Sequence, residues 1–199
     1  MGKGRLEAFT DGVIAIVITI MVLEIKAPPK ADLAALTSMF PILAAYLLSF
    51  LNVGIFWNNH HHMLHATARV DGRTLWANLS LLFWISLVPL VIRWIDETGF
   101  EALPIAVYGA VLAMTSLSYL ALERAIVACN GPSSALAKAV GRDLKTKLSL
   151  GLYAVAIALA FFRPWIAVLL YLVVVLSWFV PDRRIESLMD PDRGGRGPD

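Results

Sequence analysis

The stretch Arg5 to Ile25, RLEAFTDGVIAIVITIMVLEI, most constrains what this chain can fold into. It reads as an apolar helix with an arginine, an aspartate and two threonines set into it. The uncharged run from Gly12 to Leu23 covers only about 18 Å at the helical rise, against a bilayer hydrocarbon core of about 30 Å. Charges that deep are costly against lipid, so the helix is expected to face protein or a water-filled path. At about 100° per residue, Ile16, Ile20 and Leu23 fall with Phe9 in one stripe about 60° wide. Thr19 flanks that stripe, and Asp11 lies about 140° from Ile16, on the opposite side. Ordinary helix packing produces such stripes too, so periodicity alone leaves both roles open.

The rest of the chain agrees with a membrane setting. Hydrophobic residues make up 58%, charged residues 16%, and mean hydropathy is +0.70, the composition of an integral membrane protein. The N-terminus lacks a basic, apolar and small-residue cleavage pattern, so the first helix is expected to be retained. Cys129 is the single cysteine, which excludes an intrachain disulfide framework and a cysteine-only metal site. The net charge of +2 is spread over loops and points to no nucleic-acid partner.

Breakers divide the chain into six expected helices, about 5–26, 33–65, 73–96, 102–125, 135–162 and 164–180, in one all-α domain over 1–187. Ala27-Pro28-Pro29 ends the first, Asp32 can cap the second, Pro89 is expected to bend the third, and Asn130-Gly131-Pro132 closes the fourth. The tail 188–199 is rich in glycine, proline and charge and is expected to be a disordered cytoplasmic segment. With six spans, only Lys26, Lys30, Arg93 and Arg163 of the 17 basic residues fall on one side. The other side is therefore cytoplasmic, and both termini lie there.

Arg5-x-x-x-Phe9-Thr10-Asp11 resembles the R-x-x-x-F-S-D signature of the transmembrane protein 175 family of potassium channels, with Thr10 in place of the serine. Trp57-x-x-His60-His61 resembles the family's W-x-x-H-H. Leu75-Trp76-Ala77-Asn78-Leu79 and Ser86-Leu87-Val88-Pro89 resemble its third-helix blocks. The four blocks keep their order over residues 5–89, and the second half is similar only in hydropathy. A single copy of helix 1 supplies one wall, so a closed symmetric ring is expected.

The resemblance implies a homotetramer in a prokaryotic plasma membrane, with helix 1 lining a central pore for potassium and no cofactor. By position it implies a constriction of Ile16, Ile20 and Leu23, a ring of aliphatic side chains that can exclude water. Thr19 corresponds to a hydroxyl layer tied to potassium preference, although such a hydroxyl can equally bond its own backbone. Arg5, Phe9, Thr10 and Asp11 with Trp57, His60, His61 and Asn78 correspond to the motif and its supporting polar network. No T-V-G-Y-G carbonyl filter occurs, so modest selectivity among monovalent cations is expected.

Two other roles compete. A proton- or metal-coupled transporter would use Asp11 with His60, His61, His62 and His65, since intramembrane ionisable groups often mark transport paths. His61 and His65 share a helix face at a spacing that suits zinc, yet no Asp, Glu or Cys lies near them on that helix. Glu24 could concentrate cations at the outer mouth or be a plain interfacial charge. No nucleophile–base pair, phosphate loop or paired-carboxylate site stands out, so an enzyme is not expected.

Overall fold

The computed structural model describes residues 2–28, 30–134, 136–137 and 144–179, and no strand occurs among them. Among the described residues eight helices follow one another: α1 Lys3–Leu23, α2 Leu33–Ser38, α3 Phe40–His65, α4 Gly72–Ser86, α5 Val88–Glu97, α6 Ala102–Asn130, α7 Leu144–Ala160 and α8 Pro164–Phe179. Among the described residues four segments are long and apolar enough to cross a membrane, namely Lys3–Leu23, Phe40–His65, Gly72–Glu97 and Ala102–Asn130. Pro164–Trp178 is apolar but shorter.

Local chemistry explains where the helices depart from the expected ranges. The helix expected over 33–65 is divided at Met39. Asp32 caps the short α2 by accepting the Ala35 N–H at 2.7 Å, and Pro41 sits in the first turn of α3, where a missing N–H costs nothing. The helix expected over 73–96 is divided at Leu87. Pro89 has no N–H to give the Ile85 carbonyl, so it ends α4 and begins α5 instead of merely bending one helix. Helix α1 stops at Leu23, short of residue 26, and α6 runs to Asn130, beyond 125. Gly131 terminates α6 with φ +89°, a conformation that suits glycine. The expected helix over 135–162 lies partly outside the described residues, and the tail 188–199 wholly outside.

Helix α6 forms the centre, packed against α4, α5, α7 and α8. Between apolar helices in lipid, close contact and internal hydrogen bonds supply the cohesion. Gly109 of α6 permits the closest approach: a Cβ there would collide with the Tyr171 hydroxyl and lie 2.8 Å from Ile157. Tyr171 donates to the Ile105 carbonyl at 3.1 Å, joining α8 to α6. The Tyr108 and Ser49 hydroxyls meet at 2.7 Å, joining α6 to α3.

Helix α1 packs against α3, α4 and α5 through Leu6, Thr10, Ile14, Val17 and Met21, all on one face. Its two ends are tied to different neighbours. At one, Lys3 Nζ donates to the His65 carbonyl at 3.2 Å. At the other, ion pairs join Glu24 and Lys26 to α5.

Candidate functional site

The buried row of α1 leaves the opposite half of the helix open. Ile16 is 59% exposed, Ile20 39% and Leu23 80%. Phe9, Asp11, Gly12, Ala15 and Thr19 are exposed as well, so the open face is wider than the narrow aliphatic stripe and includes the aspartate. An exposed aliphatic face on a helix apolar enough to cross a membrane meets lipid, a second chain or a path. The Thr19 hydroxyl donates to the Ile16 carbonyl at 2.8 Å, the back-bonded arrangement open to helical threonines. Its oxygen keeps acceptor capacity on the open face.

A polar chain pins the buried side of α1. Thr10 and Asn78 are fully buried, and Asn78 Nδ2 donates to Thr10 Oγ1 at 2.9 Å. Asn78 Oδ1 is then left to accept, so His60 Nε2, 2.8 Å away, carries the proton. One amide thereby links α1, α3 and α4. Beside this chain, the Trp57 indole N–H donates to Asp11 Oδ1 at 2.8 Å and is the aspartate's partner. The ring of His61 stacks on Trp57 at 5.9 Å and on His65 at 6.2 Å. Structure thus brings together Thr10, Asp11, Trp57, His60 and Asn78, with His61 stacked against them.

Arg5 stands apart. It is exposed, and its side chain makes no hydrogen bond or ion pair with the described residues. The histidine cluster forms a ladder of rings, with His62 edge-on to His61 at 5.7 Å. Among the described residues no three His, Cys, Asp or Glu side chains are grouped to hold a metal ion.

At the other end of α1 lies an arrangement that sequence reasoning missed. A groove of about 380 Å³ runs between α1 and α5, walled by Ile16, Val17 and Ile20 on one side and Ser86, Pro89 and Leu90 on the other. Glu24 and Arg93 close it. Arg93 Nη1 is 3.3 Å from Glu24, and Arg93 Nε is 3.0 Å from Glu97. Lys26 Nζ pairs with Glu97 at 3.3 Å. Glu24, expected either to concentrate cations or to be a plain interfacial charge, is paired with Arg93. The only local signal was the Arg93–Glu97 spacing of four on one helix face.

Fold and site together define a multi-pass helical membrane protein in which one apolar helix is pinned from behind and open in front. The family described as endosomal/lysosomal potassium channel TMEM175 matches residues 5–89, the part that carries the open helix and its polar anchor. A protein of Chryseobacterium sp. (strain P1-3) named as a potassium channel is 48% identical over 187 residues, 94% of this chain and 97% of that one. The human protein named as an endosomal/lysosomal proton channel, TMEM175, is 38% identical over 96 residues, which cover 42% of this chain and 19% of the human one. Among solved structures, the lysosomal potassium-selective channel TMEM175 homologue from Chamaesiphon minutus superposes with a TM-score of 0.77 at 28% identity, over 90% of this chain and 97% of that one. The chain belongs to the TMEM175 family, and these relatives are named as ion channels, not as enzymes.

Proposed function

We propose that this protein is a potassium-permeable cation channel that conducts passively along the open face of α1. The observation that carries this is that face itself: Ile16, Ile20 and Leu23 stay uncovered in a helix whose other side is buried and hydrogen-bonded. Likeness over nearly the whole chain to a protein named as a potassium channel supports the choice of ion. Rings of these three residues form the constriction, and Thr19 adds a hydroxyl layer among them. Aliphatic rings close a path by dewetting and discriminate weakly between cations, so selectivity for potassium over sodium is modest. No cofactor is needed, since the permeant ion is the only ligand.

A single chain supplies one wall, so copies assemble in a closed ring around α1, and the likeness to the family is what makes that ring a homotetramer. Small residues support close approach on the open face: Ala8, Gly12 and Ala15 lie there with Thr19, and a Cβ at Gly12 would meet nothing within 4 Å in one chain. Six spans cross a prokaryotic plasma membrane, with α7 and α8 as the fifth and sixth and both termini cytoplasmic. The loop charges support that orientation. Thr10, Asp11, Trp57, His60 and Asn78 hold α1 in register, Phe9 and His61 pack at the edge of that network, and Arg5 faces the neighbouring chain. The Trp57 N–H engages one oxygen of Asp11 at 2.8 Å, which supports a structural role for that carboxylate.

Potassium flux from liposomes tests the channel, with wild type beside Ile16→Asn. The expected result is flux in both, with a changed rate or potassium-to-sodium preference in the variant. Flux that ignores Ile16→Asn moves the path off this face. No flux in either protein, with uptake driven by a proton or metal gradient, turns the assignment to a transporter.

A further inference from the structure

The end of α1 nearest Glu24 is an electrostatically awkward place. Glu24 is the C-cap of α1, so its carboxylate sits at the negative end of that helix's dipole. Helix α5 ends beside it with a second carboxylate, Glu97. Two helix C-termini and two acids would repel one another without cations between them. Arg93 bonds both acids, at 3.3 Å to Glu24 and 3.0 Å to Glu97, and Lys26 adds a second bridge to Glu97 at 3.3 Å.

Arg93 stands one turn beyond Pro89, where α5 begins as a helix separate from α4. It also lines the groove whose far wall is Ile16 and Ile20. The last turn of α1 is thus referenced to α5 through this side chain, across a groove of about 380 Å³. The Arg93 and Glu24 side chains are 49% and 30% exposed, so the pair biases a position and does not lock it.

We infer that Arg93 is a positioning residue for the conduction path: through Glu24 it sets where the outer turn of α1, with Ile20 and Leu23, stands. This rests on α1 lining the path, as proposed above. A rival account is pure surface charge, in which Arg93 only masks Glu24 at the outer mouth. The two accounts differ in sign. If Arg93 acts by position, Arg93→Gln and Glu24→Gln both release the turn and move flux the same way. If it acts by charge, Arg93→Gln bares a carboxylate and raises cation flux, while Glu24→Gln removes one and lowers it.

The experiment is potassium flux from liposomes for Arg93→Gln, Glu24→Gln, the double variant and Arg93→Lys, each checked for wild-type elution in detergent. Flux is expected to rise about two- to fivefold in both single variants, the range one partly exposed ion pair can supply. The double variant should go no further than either single one, and Arg93→Lys should stay near wild type. Opposite signs in the single variants, a fall in both, or unchanged flux in all, overturn the inference. Should Arg93→Gln fail to assemble, the isosteric Glu24→Gln decides alone: a rise supports positioning, and a fall or no change refutes it. Ile16→Asn run in parallel separates two failures. If it alters flux while the Arg93 set does not, only this inference fails; if it too is silent, α1 does not line the path.

Discussion

Asn78 shows how much one side chain can organise. It is fully buried, donates to Thr10 and accepts from His60, and so ties three helices with a single amide. Only a group that both donates and accepts can serve there. Asn78→Leu fills similar space but leaves the Thr10 hydroxyl and His60 Nε2 without that partner in an apolar interior. A loss of about 1–3 kcal/mol is expected from orphaned buried polar groups. Thermal unfolding in detergent should show it as a lowered midpoint, and an unchanged midpoint would mean that water or backbone takes over. Only the resemblance of their motifs points to His60 and Asn78 in the sequence, and the bonds they make follow from the fold. Arg5, placed in the same network by resemblance, makes no side-chain bond to it among the described residues.

Element boundaries respond to equally local chemistry. Asp71 begins α4 by accepting the Thr74 N–H and hydroxyl, each at 2.8 Å. The N–H bond first and the hydroxyl bond second favour the carboxylate and hold its pKa below the ordinary 3.8. A depressed folded pKa means the stabilisation is complete above the unfolded value and is lost as pH falls through the folded one. The loss therefore belongs to acid below 3.8. Asp71→Asn keeps a capping oxygen that does not titrate. The stability advantage of wild type at neutral pH should shrink as melts are taken below that value, and a gap constant with pH would show that the cap's charge adds nothing. Pro89 was legible as a disturbance of its helix, but its missing N–H divides the span into α4 and α5, which frees α5 to carry Arg93 to the end of α1.

For the whole molecule the open half of α1 is the decisive surface. One chain buries Leu6, Thr10, Ile14, Val17 and Met21 and leaves Gly12 with empty space around it. Gly12→Leu should therefore spare the fold of a single chain while obstructing close contact between copies. Light scattering in detergent is expected to show a smaller particle than wild type, with helix content retained. A wild-type particle size would place the contact between copies on another surface. The opposite case is Gly109, where Tyr171 and Ile157 already fill the space a side chain needs. Glycine thus leaves open space at one position and admits a packed neighbour at the other.

Hydropathy and periodicity are properties of neighbouring residues, so the sequence by itself determined a helical membrane protein, the order of its helices, the aliphatic stripe of Ile16, Ile20 and Leu23, and the polar motif around Asp11. Tertiary structure alone decided which half of α1 is covered, that Asp11 takes Trp57 while the Arg5 side chain takes no partner among the described residues, and that Glu24 is neutralised by Arg93. Those contacts join residues 46 and 69 positions apart, and no local pattern encodes them. They exist because packing around α6 sets α3 and α5 against α1 at distances only the folded chain defines.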